Sequence, residues 1–286
     1  MTVSGSAPAF SSEGEWHVRL FAAARRDFAA GEWNTQNVRS AFWRFYFNTT
    51  DGHALDLGES ETFLIPERTP VLIPAGTAFG CQSPGATRHF YVHFDVIGPP
   101  PPALSRAFPR PLALTASPRW RKRVKSVVAS LSGAAGESEE IPNDLSARLE
   151  LKSLVFAALG EAVAALSDEA QGELRRDSLA LSPVRAALEA VESRPEVAWT
   201  NAQLAHLCGY SEDGFIRVFK RLSGQTPAQY ALERRLNRAA QLLCFSDWPI
   251  ERIATGTGFS DRFHFSRAFA ARWHETPARF RKARRV

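Results

Sequence analysis

Apolar and polar residues alternate with two different periods along this 286-residue chain, and the change of period divides it. Up to about residue 97, short apolar runs are bounded by Gly, Pro, Asp and Asn. Val38–Phe47, Glu61–Ile65, Pro70–Ile73 and His89–Val96 read as strands, with turns at Asp51-Gly52, Pro66 and Pro74-Ala75-Gly76. Short strands broken by frequent turns predict a barrel or sandwich. In the last of them His89, Tyr91, His93 and Asp95 share one face, opposite Phe90, Val92, Phe94 and Val96. Arg44, Tyr46 and Asn48 alternate in the same way with Trp43, Phe45 and Phe47.

Beyond the proline run Pro99–Pro102 the period becomes helical. Ser117–Leu131 carries Arg119, Arg121, Lys122, Arg123 and Lys125, a basic run that suits a solvated helix face or a DNA contact. Gly133–Pro142 reads as a polar, acidic loop. Asp144 is a candidate N-cap for a helix to Leu166 whose Phe156, Leu159, Val163 and Leu166 either pack on the strand region or pair two copies. Residues 167–181 are polar and without pattern, as an interdomain linker would be.

From about Thr200 a supersecondary unit occurs twice. Gly209, Tyr210 and Ser211 correspond to Gly258, Phe259 and Ser260; Phe215, Arg217, Phe219, Thr226 and Pro227 then correspond, one residue further on, to Phe265, Arg267, Phe269, Thr276 and Pro277. In each unit a short helix with Leu204-Ala205 or Ile253-Ala254 stops at a Gly, and a second helix follows a Ser, the layout of a helix-turn-helix. Phe215, Val218, Phe219 and Leu222 form an inward stripe at i, i+3, i+4, i+7, and Phe265, Ala268 and Phe269 repeat it. Asp213, Ile216, Arg217 and Lys220 are left outward in the first unit; Arg262, Phe263, Ser266, Arg267 and Ala270 in the second. Thr200-x-x-Gln203 and Thr226-Pro227-x-Gln229 read as capping boxes, the second opening a connector helix to Leu243.

These residues resemble the DNA-binding domain of the AraC family of transcription regulators. The match runs through Gly258, Phe259, Ser260, Asp261, Phe265, Ser266, Arg267, Phe269, Thr276, Pro277, Phe280 and Arg281, and spans roughly a third of the chain. One departure is His274, where the family usually has Gly at the end of the second reading helix, so that its last turn is expected to differ. The resemblance implies an α+β chain: an N-terminal cupin-like β-barrel with helices and a C-terminal all-α DNA-binding domain with two helix-turn-helix units. The expected parts are a barrel over 1–115, a helical dimerisation or packing segment over 116–166, the linker over 167–181 and the DNA-binding domain over 182–286. By matched position, Asp213, Ile216, Arg217, Arg262, Phe263 and Arg267 are base-side candidates; a fold-maintaining role for Asp213, Ile216, Phe263 or Arg267 is the alternative. Lys220, Arg221, Arg281, Lys282, Arg284 and Arg285 suit phosphates. "RHFYVHFDV" resembles a late strand of the family's barrel, which implies effector contacts, to a sugar for example, from His89 and Tyr91.

Charge agrees with that division. The chain is +5 overall, but residues from Pro183 onward hold 17 Lys/Arg against 10 Asp/Glu, so the positive field lies on the repeat. Cys81, Cys208 and Cys244 are scattered without metal spacing and read as reduced thiols. Met1–Phe10 has no signal-peptide pattern and no apolar stretch reaches membrane-spanning length, so a cytoplasmic location is expected. Arg44, Tyr46, His89, Tyr91 and His93 are the effector-site candidates, because a ligand pocket needs a few polar groups in an apolar wall; structural or solvent-facing polar groups are the alternative. A cupin-type metal enzyme would need clustered ligands. His53 has no His-x-His pair beside it, and His89 and His93 are four residues apart, about 13 Å along a strand, too far to chelate one ion unaided. The sequence therefore predicts no metal, no cofactor and no catalysis. It predicts a regulator, an activator by family habit, with double-stranded DNA, a small effector, RNA polymerase and a second copy of itself as partners. The rival readings are a DNA-binding protein whose barrel only dimerises, and a metal-dependent cupin enzyme fused to a DNA-binding domain.

Overall fold

The computed structural model describes residues 16–39, 42–131 and 141–284; the side chains of Asn37, Ala283 and Arg284 are not described. The signal-peptide reading of Met1–Phe10, most of the Gly133–Pro142 loop and the phosphate assignment of Arg285 lie outside the described residues, as does that of the Arg284 side chain.

The chain has an α+β architecture, antiparallel sheets first and helices after them. Strands β1 (His17–Phe28), β3 (Trp43–Asn48), β6 (Pro70–Ile73), β8 (Thr87–Ile97) and β9 (Leu112–Ala113) form a five-stranded sheet in the order β1-β8-β3-β6-β9. Strands β2 (Thr35–Arg39), β4 (His53–Gly58), β5 (Glu61–Ile65) and β7 (Ala78–Gln82) form a four-stranded one in the order β2-β7-β4-β5. One apolar cluster holds residues of both sheets, among them Tyr46, Tyr91, Leu55, Ile65, Phe79 and Cys81, and so lies between them. A second cluster joins the other face of the larger sheet, through Phe45, Phe90, Val92 and Phe94, to Trp120, Leu151 and Leu154 on the helices. Both faces of the larger sheet are thus covered, which is why every residue of β3 is buried.

Two strand expectations change. Val38–Phe47 is not one strand: β2 and β3 belong to different sheets, and the chain crosses between them. The longest strand, β1, has no counterpart in the sequence reading, because its Ala22-Ala23-Ala24 run and flanking arginines carry little strand propensity. It is held by its ladder with β8, from His17 opposite Ile97 to Phe28 opposite Thr87.

Helices α1 (Pro101–Ala107), α2 (Pro118–Leu131) and α3 (Leu145–Ala164) cover that sheet. Asp144 caps α3, accepting from the Ala147 amide at 2.7 Å. Leu159 is buried against the sheet, with Val163 and Leu166 partly buried beside it, whereas Leu145, Leu149 and Phe156 are exposed on the same helix. The segment read as an unpatterned linker is the helix α4 (Asp168–Ala180). Ser167 caps it, Asp168 and Glu169 complement its N-terminal dipole, and only Leu174 and Ser178 are buried, so it lacks an apolar period for a sequence reading to detect. After a single 3-10 turn at Ser182–Val184 come α5 (Arg185–Ser193), α6 (Asn201–Leu207), α7 (Glu212–Ser223), α8 (Pro227–Phe245), α9 (Ile250–Gly256), α10 (Arg262–Trp273) and α11 (Pro277–Arg284).

Candidate nucleic-acid interface and effector pocket

Each repeat has its own core. Leu204, Ala205, Phe215 and Phe219 close the first, and Ile253, Ala254, Phe265 and Phe269 the second. Helix α8 belongs to both, giving Tyr230 and Ala231 to one and Leu236, Ala239, Ala240 and Leu243 to the other. It is therefore a shared wall that couples the two units mechanically. Both capping boxes form: Thr200 with Gln203, and Thr226 with Gln229 behind Pro227.

The helices α7 and α10 start on equivalent caps. Ser211 accepts from the Gly214 amide at 3.3 Å and Asp261 from the His264 amide at 2.7 Å, with Ser260 donating to Asp261 at 3.1 Å. The extra residue of the second unit thus moves the cap from Ser260 to Asp261. These bonds to the ionised form hold the Asp261 carboxyl below its ordinary range. At the other end Gly224 and His274 both take left-handed backbone, φ 78° and 58°, and their amides bond Lys220 O and Ala270 O at 2.9 and 2.8 Å. The last turn expected to differ does not; His274 adopts the glycine conformation. Gly258 leaves no such choice, since a Cβ there would lie 2.3 Å from the Glu196 carbonyl oxygen and its φ is 82°.

Asp213, Arg217, Lys220 and Arg221 are exposed on α7, and Arg262, Phe263 and Arg267 on α10. Phe263 is 79% exposed, an unusual state for a phenyl ring in water. Ile216 is half-buried against the first core. Arg281 departs from its assignment: it is half-buried and donates through Nη2 to the Trp248 carbonyl at 2.6 Å, which ties α11 to the α8–α9 turn instead of leaving a guanidinium for phosphate.

The effector candidates face the space between the sheets. Register sets Arg44 opposite His93, Tyr46 opposite Tyr91 and Asn48 opposite His89. Trp33, which no sequence pattern singles out for this site, lies with its ring 4.1 Å from His89, and Tyr46 meets His89 edge-on at 4.6 Å. Asn48 Oδ1 is 2.7 Å from His89 Nδ1. Burial, helped by His53 and Arg26, pushes the His89 imidazole down to about 3; burial, then Arg44 and His89, takes His93 well below its ordinary value. Burial also raises the Cys81 thiol to about 11 and the Tyr46 phenol beyond its usual range. At neutral pH the groups between the sheets are therefore neutral rings and hydroxyls beside the Arg44 guanidinium, which lies 4.6 Å from the Phe42 ring and 5.1 Å from that of Phe79. The described residues include no group of three or more His, Cys, Asp or Glu placed to hold a metal ion, and no helix long and apolar enough to cross a membrane.

A family model described as a helix-turn-helix domain matches residues 204–283. The HTH-type transcriptional regulator AlkR of Acinetobacter baylyi is 35% identical over 34% of this chain and 31% of its own length. The HTH-type transcriptional activator Btr of Bacillus subtilis is 26% identical over 48% of this chain and 24% of its own. A crystal structure of a Chromobacterium violaceum transcriptional regulator with an AraC-type DNA-binding domain is 32% identical, covering 37% of this chain and 96% of that one, with a TM-score of 0.36. The C-terminal segment is an AraC-type helix-turn-helix domain. The chain spans about a third, or less, of the length of these curated relatives.

The AraC-type domain is docked on the sheets through α8 and α5. Glu192, 6% exposed, is the centre of the contact. Its carboxylate accepts from Tyr230 Oη at 2.6 Å and lies 3.3 Å from Arg234 Nη1 and 3.9 Å from Nη1 of Arg19 on β1. Arg19 also donates to the Glu192 carbonyl. Asp95 on β8 faces this cluster; burial pushes its carboxyl up to about 6, Glu192 adding to the effect and Arg234 and Arg19 opposing it. Beside the cluster a cleft of about 470 Å³ separates Pro99–Pro102 from α5 and α8. Further along α8, Phe245 reaches the inter-sheet cluster, its ring 5.5 Å from Phe42 and 5.2 Å from His93. The sequence marked neither Glu192 nor Phe245; polar residues at 192, 234, 237 and 241 on otherwise apolar helix faces are the signal that could have pointed to Glu192.

Proposed function

We propose that the protein is a sequence-specific transcription regulator that binds double-stranded DNA through α7 and α10 and answers to a small molecule held between its sheets. The observation that carries this reading is the pairing of two capped helices, each with an outward basic face, on separate cores joined by the one helix α8. Helices presented in this way suit successive major grooves, with Arg217 and Arg262 forking onto guanine and Lys220 and Arg221 on phosphates. Phe263 suits a thymine methyl. Activation through contact with RNA polymerase is the mode suggested by the likeness to Btr, a transcriptional activator. A second copy pairs through the exposed Leu145, Leu149 and Phe156 of α3, which lie along one side of that helix. No enzymatic step is part of this reading.

Genomic footprinting of the tagged protein, with Arg217→Ala and Arg262→Ala as controls, tests it. Discrete upstream sites weakened by either change are expected. Sequence-blind occupancy that neither change alters would overturn the reading.

A further inference from the structure

The cleft of about 470 Å³ beside the Glu192 cluster has walls from both domains. The strand domain gives Ile97 and the proline run 99–102; the DNA-binding domain gives Leu188 of α5, with Gly224 and Gln225 from the turn that ends α7. Its volume lies in the range of small-molecule sites, for which domain interfaces are a favoured place. Most of its charges are already matched. Glu192 holds Arg234 and Tyr230, and Glu233 accepts from Gln225 at 3.3 Å and lies 3.5 Å from Arg272. Arg185 and Glu189 differ. They line the same cleft from α5, four residues apart, and neither side chain has a hydrogen bond or ion pair among the described residues. Residues at this spacing share a helix face with their Cβ atoms about 5–6 Å apart, yet a cation placed N-terminal to an anion is the less favourable order for the two to close on each other. The cleft thus presents one unpaired cation and one unpaired anion side by side, opposite a wall of proline rings.

We propose that this cleft binds a free α-amino acid with an apolar side chain. Such a molecule carries an ammonium and a carboxylate on one carbon. The Arg185 guanidinium grips the carboxylate, Glu189 accepts from the ammonium, and the side chain lies on the prolines and Leu188. A zwitterion suits the place because it meets both charges and adds no net charge to a cleft whose other ionised groups are already paired. A simple carboxylate or amine satisfies one partner and leaves the other. The site goes beyond the small molecule read between the sheets and does not depend on it. The guest touches both domains, so it binds when they are docked and fastens them by mass action. Because α5 and the turn after α7 form one wall, the ligand fixes how the first helix-turn-helix unit is held. Any change this makes in DNA affinity is returned as an equal change in ligand affinity.

L-Phenylalanine and L-leucine are the probes, titrated calorimetrically into the full chain and into Arg185→Gln and Glu189→Gln. The expected result is binding of at least one of them by the unaltered chain and about tenfold or weaker binding by each variant. Phenylacetate and 2-phenylethylamine each lack one of the two charges and are expected to bind the unaltered chain about tenfold more weakly than L-phenylalanine, or less. These analogues test the same two contacts without altering the chain, so the result stands even if a variant fails to fold. A guest that bridges the domains slows amide exchange at Ile97 and Gly98 as well as along α5. Affinity unchanged in both variants overturns the site, and equal binding of phenylacetate or 2-phenylethylamine overturns the zwitterion. Protection confined to α5 overturns the bridge. No binding of either amino acid by the unaltered chain overturns the proposal as a whole.

Discussion

His274 and Gly258 show how one backbone angle decides what a residue may be. Left-handed backbone costs an L-residue roughly 1–2 kcal/mol, and glycine escapes it. His274 bears that cost at the end of α10 while keeping the hydrogen bond that Gly224 makes in the first unit. His274→Gly is therefore expected to stabilise the domain by about 1 kcal/mol, read as a higher midpoint in urea with an unchanged slope. Gly258→Ala should do the reverse and more, losing 2 kcal/mol or more, because the same backbone penalty is joined by a methyl 2.3 Å from a main-chain oxygen. A Gly258→Ala chain that melts like the unaltered one would show that the α5–α6 loop yields at Glu196. At this scale the sequence was readable wherever a residue's chemistry is local: both capping boxes follow from Thr and Gln three apart. It was unreadable for Arg281, whose partner, the Trp248 carbonyl, is 33 residues away.

The helices separate positioning from reading. Arg217 and Arg262 stand exposed near the N-terminal halves of α7 and α10, and Lys220 a turn further along α7. If the arginines read bases, Arg217→Ala and Arg262→Ala each cost about 1–3 kcal/mol and relax preference at one position of the site; Lys220→Ala weakens all sequences alike and reduces the salt dependence by about one ion. Electrophoretic shifts across a salt series, on matched and single-base-changed sites, distinguish the two behaviours. An equal loss on every sequence from Arg217→Ala would make it a phosphate contact. The helices themselves were legible because their 3.6-residue period is sustained and repeated, with Phe215 and Phe219 answering to Phe265 and Phe269. β1 was not, since an alanine-rich strand owes its form to the ladder with β8, a partner about seventy residues away. The long strand read as Val38–Phe47 failed for a related reason: alternation shows which side chains share a face, not which sheet a segment joins.

On the scale of the whole molecule, two sets of buried ionisable groups respond to acid in opposite directions. His89, pushed down to about 3, and His93, held well below its ordinary value, stay neutral in the fold, whereas the unfolded chain protonates them below about 6.5, so their contribution is lost as pH falls through that value. At pH 5.5 each costs about 1.4 kcal/mol relative to pH 7.5, roughly 3 together. Asp95 works the other way. Its folded carboxyl holds a proton from about pH 6 downward while the unfolded one ionises near 3.8, so acid stabilises through Asp95, by just under about 1 kcal/mol at pH 5.5. The net expectation is a loss of about 2 kcal/mol between pH 7.5 and 5.5, with a steeper loss in Asp95→Asn, measured as melting temperature by near-ultraviolet circular dichroism. A melting point that rises on acidification would contradict it. Asp95 also faces the docking contact, where Glu192 gathers Tyr230, Arg234 and Arg19 from two domains. Removing one partner of a buried ion pair costs roughly 3–5 kcal/mol because the remaining charge stays desolvated. Glu192→Leu leaves the buried Arg234 guanidinium without its close carboxylate, so the cost is relieved if the domains part and water reaches it. The expected outcome is faster amide exchange in β1 and along α8, with β3 still protected inside its sheet. Uniform acceleration through β3 would mean that the docking contact is part of the sheets' own stability, and that the two halves unfold as one.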